Sequence, residues 1–325
     1  MSSSNDSSLH DFEFILMGLP GLQNVQHWLC FPFVIVFLVG LFANLVISSI
    51  IVTEQCLHEP MYYFIAVLSV IDLTACLSLM PIVLLILSFG SQSVPSDVCF
   101  LQMFCASFIG VMQSSVLVLM AYDRYIAVCK PLRYSTIVTN TFIVKSLLMF
   151  TVRNICAVIP IPVLAKLLPY CGKKSVYNIH CDYLAVINMS CARTAMSENF
   201  LFIIFSLIGL PDAGLIGLSY YRIVRVTLKL KSKEALEKAF STCSSHISVL
   251  ALVYLSGLLA SILSLFENNM PPYMHPLLSV IYLIIPPTLN PVIYGVKSQK
   301  IWGAILKHFT TIMSILKGNK QTVHL

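Results

Sequence analysis

Three ionisable side chains lie inside long apolar stretches of the sequence, where a charge is costly to bury. Asp72 is in the second such stretch, Arg153 in the fourth and Asp212 in the fifth. Ionisable residues at membrane depth usually have a function and a partner. Asn44 and Asn290 can join Asp72 in one polar cluster. Two interpretations stay open: the cluster only fixes helix packing, or it is hydrated, has room for a cation and rearranges when the protein switches.

The polar residues do not indicate catalysis. An enzyme would need paired carboxylates, two histidines at zinc-binding spacing, or a nucleophile beside a base. The 8 histidines are scattered, and Asp72 and Asp212 lie on separate stretches without a matching motif. We therefore predict no enzyme activity, no cofactor and no metal site.

A charged tripeptide, Asp123-Arg124-Tyr125, ends the third apolar stretch. A neighbouring acid can hold Arg124 in a resting state, and its release frees a cation for a partner that docks from below. The alternative is an arginine that only extends its charge to the membrane surface.

The composition indicates that these residues belong to a membrane protein. Of the 325 residues, 58% are hydrophobic and 10% are charged, whereas globular proteins carry about 25% charged residues. So much apolar surface must face lipid. The net charge of +6 comes from short separate segments. It provides no broad basic face, so we expect no nucleic-acid partner.

Seven stretches are long enough to cross a bilayer, which takes about 20 helical residues. They are helices because backbone groups in hydrocarbon must be satisfied internally. We predict an all-α seven-transmembrane helix bundle at residues 28–296, between an extracellular N-terminal tail (1–27) and an amphipathic helix with a cytoplasmic tail (297–325). The predicted spans are Trp28–Val52, Met61–Phe89, Val98–Val128, Thr141–Leu164, Asn199–Leu228, Ala239–Phe266 and Tyr273–Val296.

The short loops predict the orientation, because lysine and arginine concentrate on the cytoplasmic side. The second inner loop has two basic residues, the third has six and the tail has five, against four in the outer loops, although the first inner loop carries only the acids Glu54 and Glu59. The chain is thus a multi-pass plasma-membrane protein with its N-terminus outside. The N-terminal residues do not look like a cleavable signal peptide. Asn5 begins an N-glycosylation sequon, and Asn188 begins a second one beside Cys191.

Apolar residues recur at helical spacing after the seventh span, with lysines between them. The pattern predicts a helix on the inner membrane surface, and the alternative is a frayed tail with chance periodicity. The apolar positions are Ile301, Trp302, Ile305, Leu306, Phe309, Ile312 and Met313.

Four of the 11 cysteines, Cys99, Cys171, Cys181 and Cys191, fall on the predicted outer side. That side is oxidising, so these cysteines can pair, and four cysteines allow three connectivities. A metal site is the alternative, but the spacing and the oxidising side favour disulfides.

A ligand pocket between helices should be mostly apolar with a few convergent polar groups. Helical spacing places several third-span and sixth-span residues on one face each, and residues from the fifth span and the outer loop complete the set. The candidate ligand contacts are Met103, Ser107, Gly110, Val111, Ser114, Tyr183, Phe205, Tyr254, Leu258, Ser261 and Leu265. No candidate is charged, so we predict a small, neutral or weakly polar, rather apolar ligand.

Several ordered motifs resemble those of olfactory receptors, a branch of the rhodopsin-like G-protein-coupled receptors. MAYDRYIAVCKPLRY (120–134) resembles their third-helix signature, KAFSTCSSH (238–246) their sixth-helix start, and PPTLNPVIYG (286–295) their seventh-helix motif. LHEPMYYF (57–64) also matches. MGLPGL (17–22), Tyr62-Tyr63 and Arg153-Asn154 resemble the class I, fish-like group.

The resemblance implies a receptor for a small volatile or water-soluble odorant and a stimulatory, olfactory-type heterotrimeric G protein that raises cyclic AMP. It implies disulfides Cys99–Cys181 and Cys171–Cys191. The activation and G-protein residues that it implies are Asp123, Arg124, Tyr125, Tyr220, Lys238, His246, Asn290, Pro291 and Tyr294. A non-olfactory receptor for a small metabolite is the alternative. A channel or transporter is disfavoured, because the seven spans show no internal repeat.

The sequence departs from the family pattern in three places. Ala43 stands where a glycine usually precedes Asn44, and Ser107 stands where class I relatives often have histidine. Leu265 stands where some carboxylate-binding members have arginine. The last difference argues against an acid ligand held by that arginine.

Overall fold

The computed structural model describes residues 12–192, 194–229, 233–265 and 270–322; within these ranges, side chains 198, 233–236, 238–242, 260–261, 263–265 and 312–322 lie outside the description. Long helices dominate the described chain. The helices are α1 Gln26–Thr53, α2 Pro60–Phe89, α3 Ser96–Cys129, α4 Tyr134–Ile137, α5 Asn140–Val158, α6 Pro160–Leu167, α7 Tyr183–Ile187, α8 Ala195–Lys229, α9 Lys233–Leu265, α10 Met274–Lys297 and α11 Gln299–Thr322.

The predicted helix bundle is confirmed. Six helical segments of the described chain, with α5 and α6 taken together, are long and apolar enough to cross a membrane. The seventh, α9, carries a described apolar stretch over Cys243–Leu259. Most predicted boundaries differ from the observed ones by a few residues, because a helix continues into the polar margin of an apolar run. The largest difference is at α9, which begins at Lys233 instead of Ala239.

The fourth span is divided into two helices at a proline. The sequence predicts one continuous helix, but α5 ends at Val158 and α6 begins at Pro160. Proline has no backbone N–H and its ring clashes with the preceding turn, so it fits best at the start of a helix.

The third span, α3, is the central helix of the bundle and contacts α2, α5, α6, α8 and α9. Two apolar clusters surround it. One contains Met80 and Met103, and the other contains Leu68 and Val116. One end of the bundle carries the disulfide-bonded cysteines, and we call it the disulfide end. The opposite end, where α3 stops beyond Arg124, is the Arg124 end.

A polar contact joins α1 to α10 inside the bundle. Pro291 has no N–H to donate to the carbonyl of Pro287, so the helix leaves that carbonyl unpaired. Asn44 Nδ2 donates to the Pro287 oxygen at 2.8 Å and to the Gly40 carbonyl at 2.8 Å. A Cβ atom on Gly40 would lie 3.2 Å from Thr288 Oγ1 on α10 and 3.0 Å from Cys76 Sγ on α2. The small residue therefore permits the close helix contact at which Asn44 compensates for the proline.

A three-stranded sheet covers the disulfide end, and the sequence analysis did not predict it. Strand β1 (Glu13–Leu16) pairs antiparallel with β2 (Gln92–Pro95) and parallel with β3 (Ser175–Val176). Phe14 and Leu16 on β1 are fully buried. The segment predicted as a tail is thus packed against the bundle from at least Phe12 onward.

The helix after the seventh span is present as α11. Ile301 is buried against the bundle, whereas Trp302, Leu306 and Phe309 are exposed. Lys300 Nζ lies 2.7 Å from Glu59 and Lys307 Nζ lies 2.9 Å from Glu54. The acids of the loop between α1 and α2 therefore face α11. Lys307 donates a hydrogen bond to Glu54, and this bond lowers the pKa of the Glu54 carboxyl.

Candidate functional site

A cavity of about 640 Å³ lies between α3, α8, α9 and α10, beneath the segment that follows α6. We call residues 168–192 of that segment the roof segment. Nine predicted ligand contacts line this single cavity: Met103, Ser107, Gly110, Val111, Ser114, Tyr183, Phe205, Tyr254 and Leu258. The other two predicted contacts, Ser261 and Leu265, have side chains outside the described residues. The roles of all eleven as ligand contacts remain predictions.

The sequence analysis predicted one roof residue, Tyr183, and missed the rest of the roof and the whole α10 side of the cavity. The roof segment adds His180 and Asp182 beside Tyr183, and α10 adds Ser279, Tyr282 and Leu283. Helical spacing identifies which residues share a face of one helix, but it does not place a loop over that helix. His180 could have been identified from its position next to Cys181, because a disulfide from Cys181 to Cys99 brings that loop to the start of α3.

The wall of the cavity that α8 and α9 form is also the outer surface of the bundle. Phe202 on α8 is 74% exposed and Leu258 on α9 is 56% exposed, yet both line the cavity. Gly209 and Gly257 lie on the same wall and contribute no side-chain bulk. This wall therefore leaves space with a largely apolar lining between the two helices.

Hydrogen bonds connect the polar end of the cavity to an ion pair. Ser114 Oγ lies 3.1 Å from Tyr254 Oη and donates to Asp212 Oδ2 at 3.0 Å. Arg153 binds both carboxylate oxygens, with Nη1–Oδ1 at 2.8 Å and Nη2–Oδ2 at 3.0 Å. Asp212 is fully buried, and the ring of Phe150 lies 4.6 Å from the Arg153 guanidinium carbon. Two charges that the sequence analysis treated separately are thus one bidentate pair.

Two more residues complete the coordination of Arg153. Its Nη2 donates to Ser115 Oγ at 2.8 Å, and its Nε donates to Asn154 Oδ1 at 3.0 Å. Asn154 Nδ2 donates in turn to Ser115 Oγ at 2.8 Å. The network therefore joins α3, α5, α8 and, through Tyr254, α9.

Asp72 lies in a second polar cluster, nearer the Arg124 end. It is fully buried and accepts hydrogen bonds from Gln113 Nε2 at 2.7 Å and from Asn290 Nδ2 at 3.0 Å. The structure thus joins Asn290 to Asp72 and adds Gln113. It does not give Asn44 a hydrogen bond to Asp72, because Asn44 donates to the backbone of α1 and α10 instead.

At the Arg124 end, the tripeptide forms a closed arrangement. Arg124 Nε donates to Asp123 Oδ2 at 2.9 Å, and Tyr134 Oη donates to Asp123 Oδ1 at 2.7 Å. Asp123 is fully buried, and the Arg124 side chain is 13% exposed. Tyr125 lies beside Lys130, whose Nζ is 5.7 Å from the ring centre. The guanidinium is therefore held by its neighbouring acid.

The remaining predicted activation residues lie around the same end. Tyr220 Oη is 2.7 Å from His246 Nδ1, which joins α8 to α9. Tyr294 is buried, with its hydroxyl 3.8 Å from Met120 Sδ on α3. Pro291 lies inside α10, one turn before Tyr294. The side chain of Lys238 lies outside the described residues.

Both disulfides implied by the resemblance are present, Cys99–Cys181 and Cys171–Cys191. Within the described ranges, no group of three or more His, Cys, Asp or Glu side chains is arranged to hold a metal ion. The glycosylation candidate Asn5 precedes the first described residue, so its modification remains a prediction.

Comparisons with known proteins agree with this architecture. A family model described as "Olfactory receptor" matches residues 33–311. The human protein named olfactory receptor 52N2 is 37% identical over 308 residues, which cover 94% of this chain and 96% of that protein. Human olfactory receptor 56A1 is 39% identical over 308 residues, with 94% and 96% covered. Human olfactory receptor 51F2 is 36% identical over 322 residues, with 99% and 93% covered.

The crystal structure of squid rhodopsin has a similar fold. It superposes with a TM-score of 0.72 over 91% of this chain and 83% of the rhodopsin chain, at 17% sequence identity. This likeness shows the seven-helix receptor fold and nothing about the ligand.

Proposed function

The chain belongs to the olfactory receptor family, and from that premise we propose that it binds a small, neutral or weakly polar odorant in the cavity and activates a stimulatory, olfactory-type G protein that raises cyclic AMP. Membership of the family makes the chain a multi-pass G-protein-coupled receptor for odorants and not an enzyme. The proposal adds the class of ligand, the type of G protein and the residues involved.

The observation that carries the ligand proposal is the chemistry of the cavity wall. Residues such as Met103, Val111 and Phe205 make it mostly apolar, and serine and tyrosine hydroxyls supply a few polar points. No described wall residue is a lysine or arginine. An apolar pocket with few polar groups is typical of small-molecule sites. A carboxylate would enter it without a cation to compensate its charge.

The network between Ser114 and Arg153 supports a route from the ligand to the helices. Ser114 and Tyr254 line the cavity and also belong to this network. A ligand that displaces either hydroxyl changes a contact between α3 and α9. Rearrangement of helices about buried polar contacts is a common switching mode of receptors. We assign the clusters around Asp72 and Arg124 to the later part of the same switch.

In the activated state we expect Arg124 to leave Asp123 and face the G protein. Arg124, Tyr220 and Tyr294 are the proposed activation contacts, and Lys238 and His246 are proposed to line the inner surface.

We propose a membrane orientation with the Arg124 end in the cytoplasm, the disulfide end outside the cell, and α11 on the inner lipid surface. Epitope tags on the two termini, stained in intact and permeabilised cells, test the orientation. Detection of both tags in intact cells would contradict it.

The ligand proposal is tested by a chemical panel on cells that express the receptor, the olfactory-type G-protein α subunit and a cyclic AMP reporter. Alcohols, ketones and esters are expected to activate more strongly than carboxylic acids of equal chain length. Cells without the α subunit are the control for the coupling. Activation by acids alone, with Ser107→Ala and Ser261→Ala harmless, would show that the ligand assignment is wrong.

A substitution at Tyr220 tests the proposed resting contact between α8 and α9. Tyr220→Phe removes the hydrogen bond to His246, and one such bond contributes about 1 kcal/mol net, or roughly a fivefold change in an equilibrium. We expect ligand-independent cyclic AMP to rise several-fold at equal surface expression, and the maximal odorant response to fall, because the same hydroxyl is also a proposed activation contact. Tyr221→Phe is the matched control, because Tyr221 is 57% exposed. A lower ligand-independent signal would instead place the main role of Tyr220 in the active state.

A further inference from the structure

The roof of the cavity contains a buried histidine whose Nδ1 atom has no hydrogen-bond partner. His180 lines the cavity and is 2% exposed. Its Nδ1 is bonded to no group in the described structure and is enclosed, so a ligand in the cavity reaches it only after the ring turns in place about its side-chain bonds. An unpaired buried polar atom costs about 1–3 kcal/mol, so each one needs an explanation, and on a cavity wall a bound molecule is one such explanation.

The backbone around His180 is fixed, so the ring cannot leave the cavity at low cost. The next residue, Cys181, is bonded to Cys99 at the start of α3. The Cys181 amide also donates to Gln102 Oε1 at 2.8 Å, and Gln102 Nε2 donates to the Ser78 carbonyl on α2 at 2.9 Å. Two helices thus hold the position of His180 from below.

The surroundings of His180 favour a neutral ring. Burial lowers its pKa, the nearby Asp182 carboxylate raises it and His275 on α10 lowers it; the result is a pKa below the usual value. A neutral imidazole has one donor nitrogen and one acceptor nitrogen. The ring is therefore a polar contact for an uncharged group and not a cation for a carboxylate.

The chemistry of a neutral imidazole selects among the proposed ligands. A hydroxyl group both donates and accepts, so it can bond to Nδ1 in either tautomer of the ring. A ketone, ester or ether oxygen only accepts, so it can bond to Nδ1 only in the tautomer that carries the proton there. A carboxylate would also lie close to Asp182, which lines the same cavity. We propose that His180 is the hydrogen-bonding anchor of the odorant site and selects small neutral compounds with a hydroxyl group. This inference rests on the proposed function and narrows it.

Ser107 is the main competitor for this role. It lines the cavity from α3, and its hydroxyl makes no hydrogen bond within the described part of the chain. It is less buried than His180, however, and a serine hydroxyl can rotate toward a backbone carbonyl of its own helix. Without a ligand, the unpaired polar atom therefore costs more free energy at His180 than at Ser107.

The test compares primary alcohols from pentanol to nonanol with the methyl ether of each, in the cyclic AMP assay. Etherification removes the hydroxyl donor and keeps the oxygen and the chain. In the parent receptor we expect the alcohol to be about tenfold more potent than its ether, a ratio that corresponds to about 1.4 kcal/mol. The ratio should fall to about 1 in His180→Phe, which keeps a flat ring without nitrogen, and should persist in the control Tyr177→Phe, a change at a 64% exposed residue of the roof segment. A ratio that falls in Ser107→Ala and not in His180→Phe would make Ser107 the anchor and overturn the inference.

A rescue variant separates anchoring from folding. An asparagine amide can place a polar atom near the position of Nδ1, whereas the longer glutamine places it farther along the side chain. His180→Asn should keep part of the alcohol preference, and His180→Gln should lose it. If His180→Phe does not reach the cell surface, this comparison replaces it. Equal potency of alcohols and ethers in the parent, or an unchanged ratio in the variants, would overturn the inference.

The two proposals fail in different ways. Activation only by esters or ketones, without an effect of His180 substitutions, would reject the anchor and leave the proposed function in place. A receptor at the cell surface that raises no cyclic AMP with any compound, next to a responsive control receptor, would reject the proposed coupling and the anchor together.

Discussion

Replacement of Arg153 by glutamine is expected to destabilise the receptor by about 3–5 kcal/mol, the range measured when one partner of a buried ion pair is removed. The substitution leaves the fully buried Asp212 carboxylate with only Ser114 as a hydrogen-bond donor. The Arg153 side chain is 33% exposed and the Asp212 side chain is fully buried, so the cost arises mainly at the carboxylate that loses its cation. We expect surface expression to fall to roughly a tenth of the parent level, because losses of this size remove most of the folded protein in cells.

The ion pair, and not the loss of side-chain volume, should cause this effect. Arg153→Gln combined with Asp212→Asn removes both charges and keeps polar groups at both positions. We expect the double variant to recover most of the lost stability, since a buried pair and its neutral replacement are often close in energy. The measurement is thermal unfolding of the purified receptor in detergent for both single variants and the double variant, treated as a double-mutant cycle.

A control separates the charge from the neighbouring hydrogen bonds. Asn154→Ala removes one amide from the same network but leaves the ion pair. Hydrogen bonds between membrane helices contribute about 0.6 kcal/mol on average, so this variant should lose much less stability than Arg153→Gln. Additive effects of the Arg153 and Asp212 substitutions would show that the two charges are not coupled.

Loss of the Cys99–Cys181 disulfide is expected to have the second large effect, and a larger one than loss of Cys171–Cys191. The bonded residues are 82 positions apart in the first pair and 20 in the second. Loop-closure entropy alone gives about 4.5 and 3.3 kcal/mol for loops of these lengths. Both figures are upper bounds here, because membrane-spanning helices already restrict the unfolded chain.

The position of the bond increases the difference. Cys99 and Cys181 are both buried, and their bond holds His180, Asp182 and Tyr183 over the cavity. We therefore expect Cys99→Ser with Cys181→Ser to abolish odorant-evoked cyclic AMP and to lower the unfolding temperature. Cys171→Ser with Cys191→Ser should reduce the unfolding temperature less and keep a measurable odorant response.

Both partners are replaced together so that no single thiol is left to form a wrong bond. Cys105→Ser is the matched control, since Cys105 is a free cysteine on the same helix as Cys99. It should behave like the parent receptor. An odorant response that survives without Cys99 and Cys181 would mean that other contacts of the roof segment position the cavity residues.

The α3 face of the cavity could be predicted because it depends on one helix only. Residues from Met103 to Ser114 recur at helical spacing, and a regular helix places such residues on one side whatever surrounds it. The α10 wall, with Ser279 and Tyr282, could not be predicted in this way. Three prolines interrupt the regular hydrogen bonding of α10, and its rotation relative to α3 depends on how the other helices pack.

The sequence by itself determined that seven helices cross a membrane, approximately where each begins and ends, and to which family its motifs belong. Hydrocarbon imposes those limits locally, because each segment must satisfy its own backbone hydrogen bonds and bury its own apolar length. The tripeptide at Arg124 and the apolar repeat of α11 were identifiable for the same reason.

Only the tertiary structure decided which polar groups meet. It paired Arg153 with Asp212, turned Asn44 toward the Pro287 carbonyl instead of Asp72, and placed His180 over the cavity. It also joined β1 to strands far along the chain. Contacts between helices depend on the rotation and depth of each helix. The packing of the whole bundle sets the rotation and the depth, and the periodicity of a single segment contains no information about either.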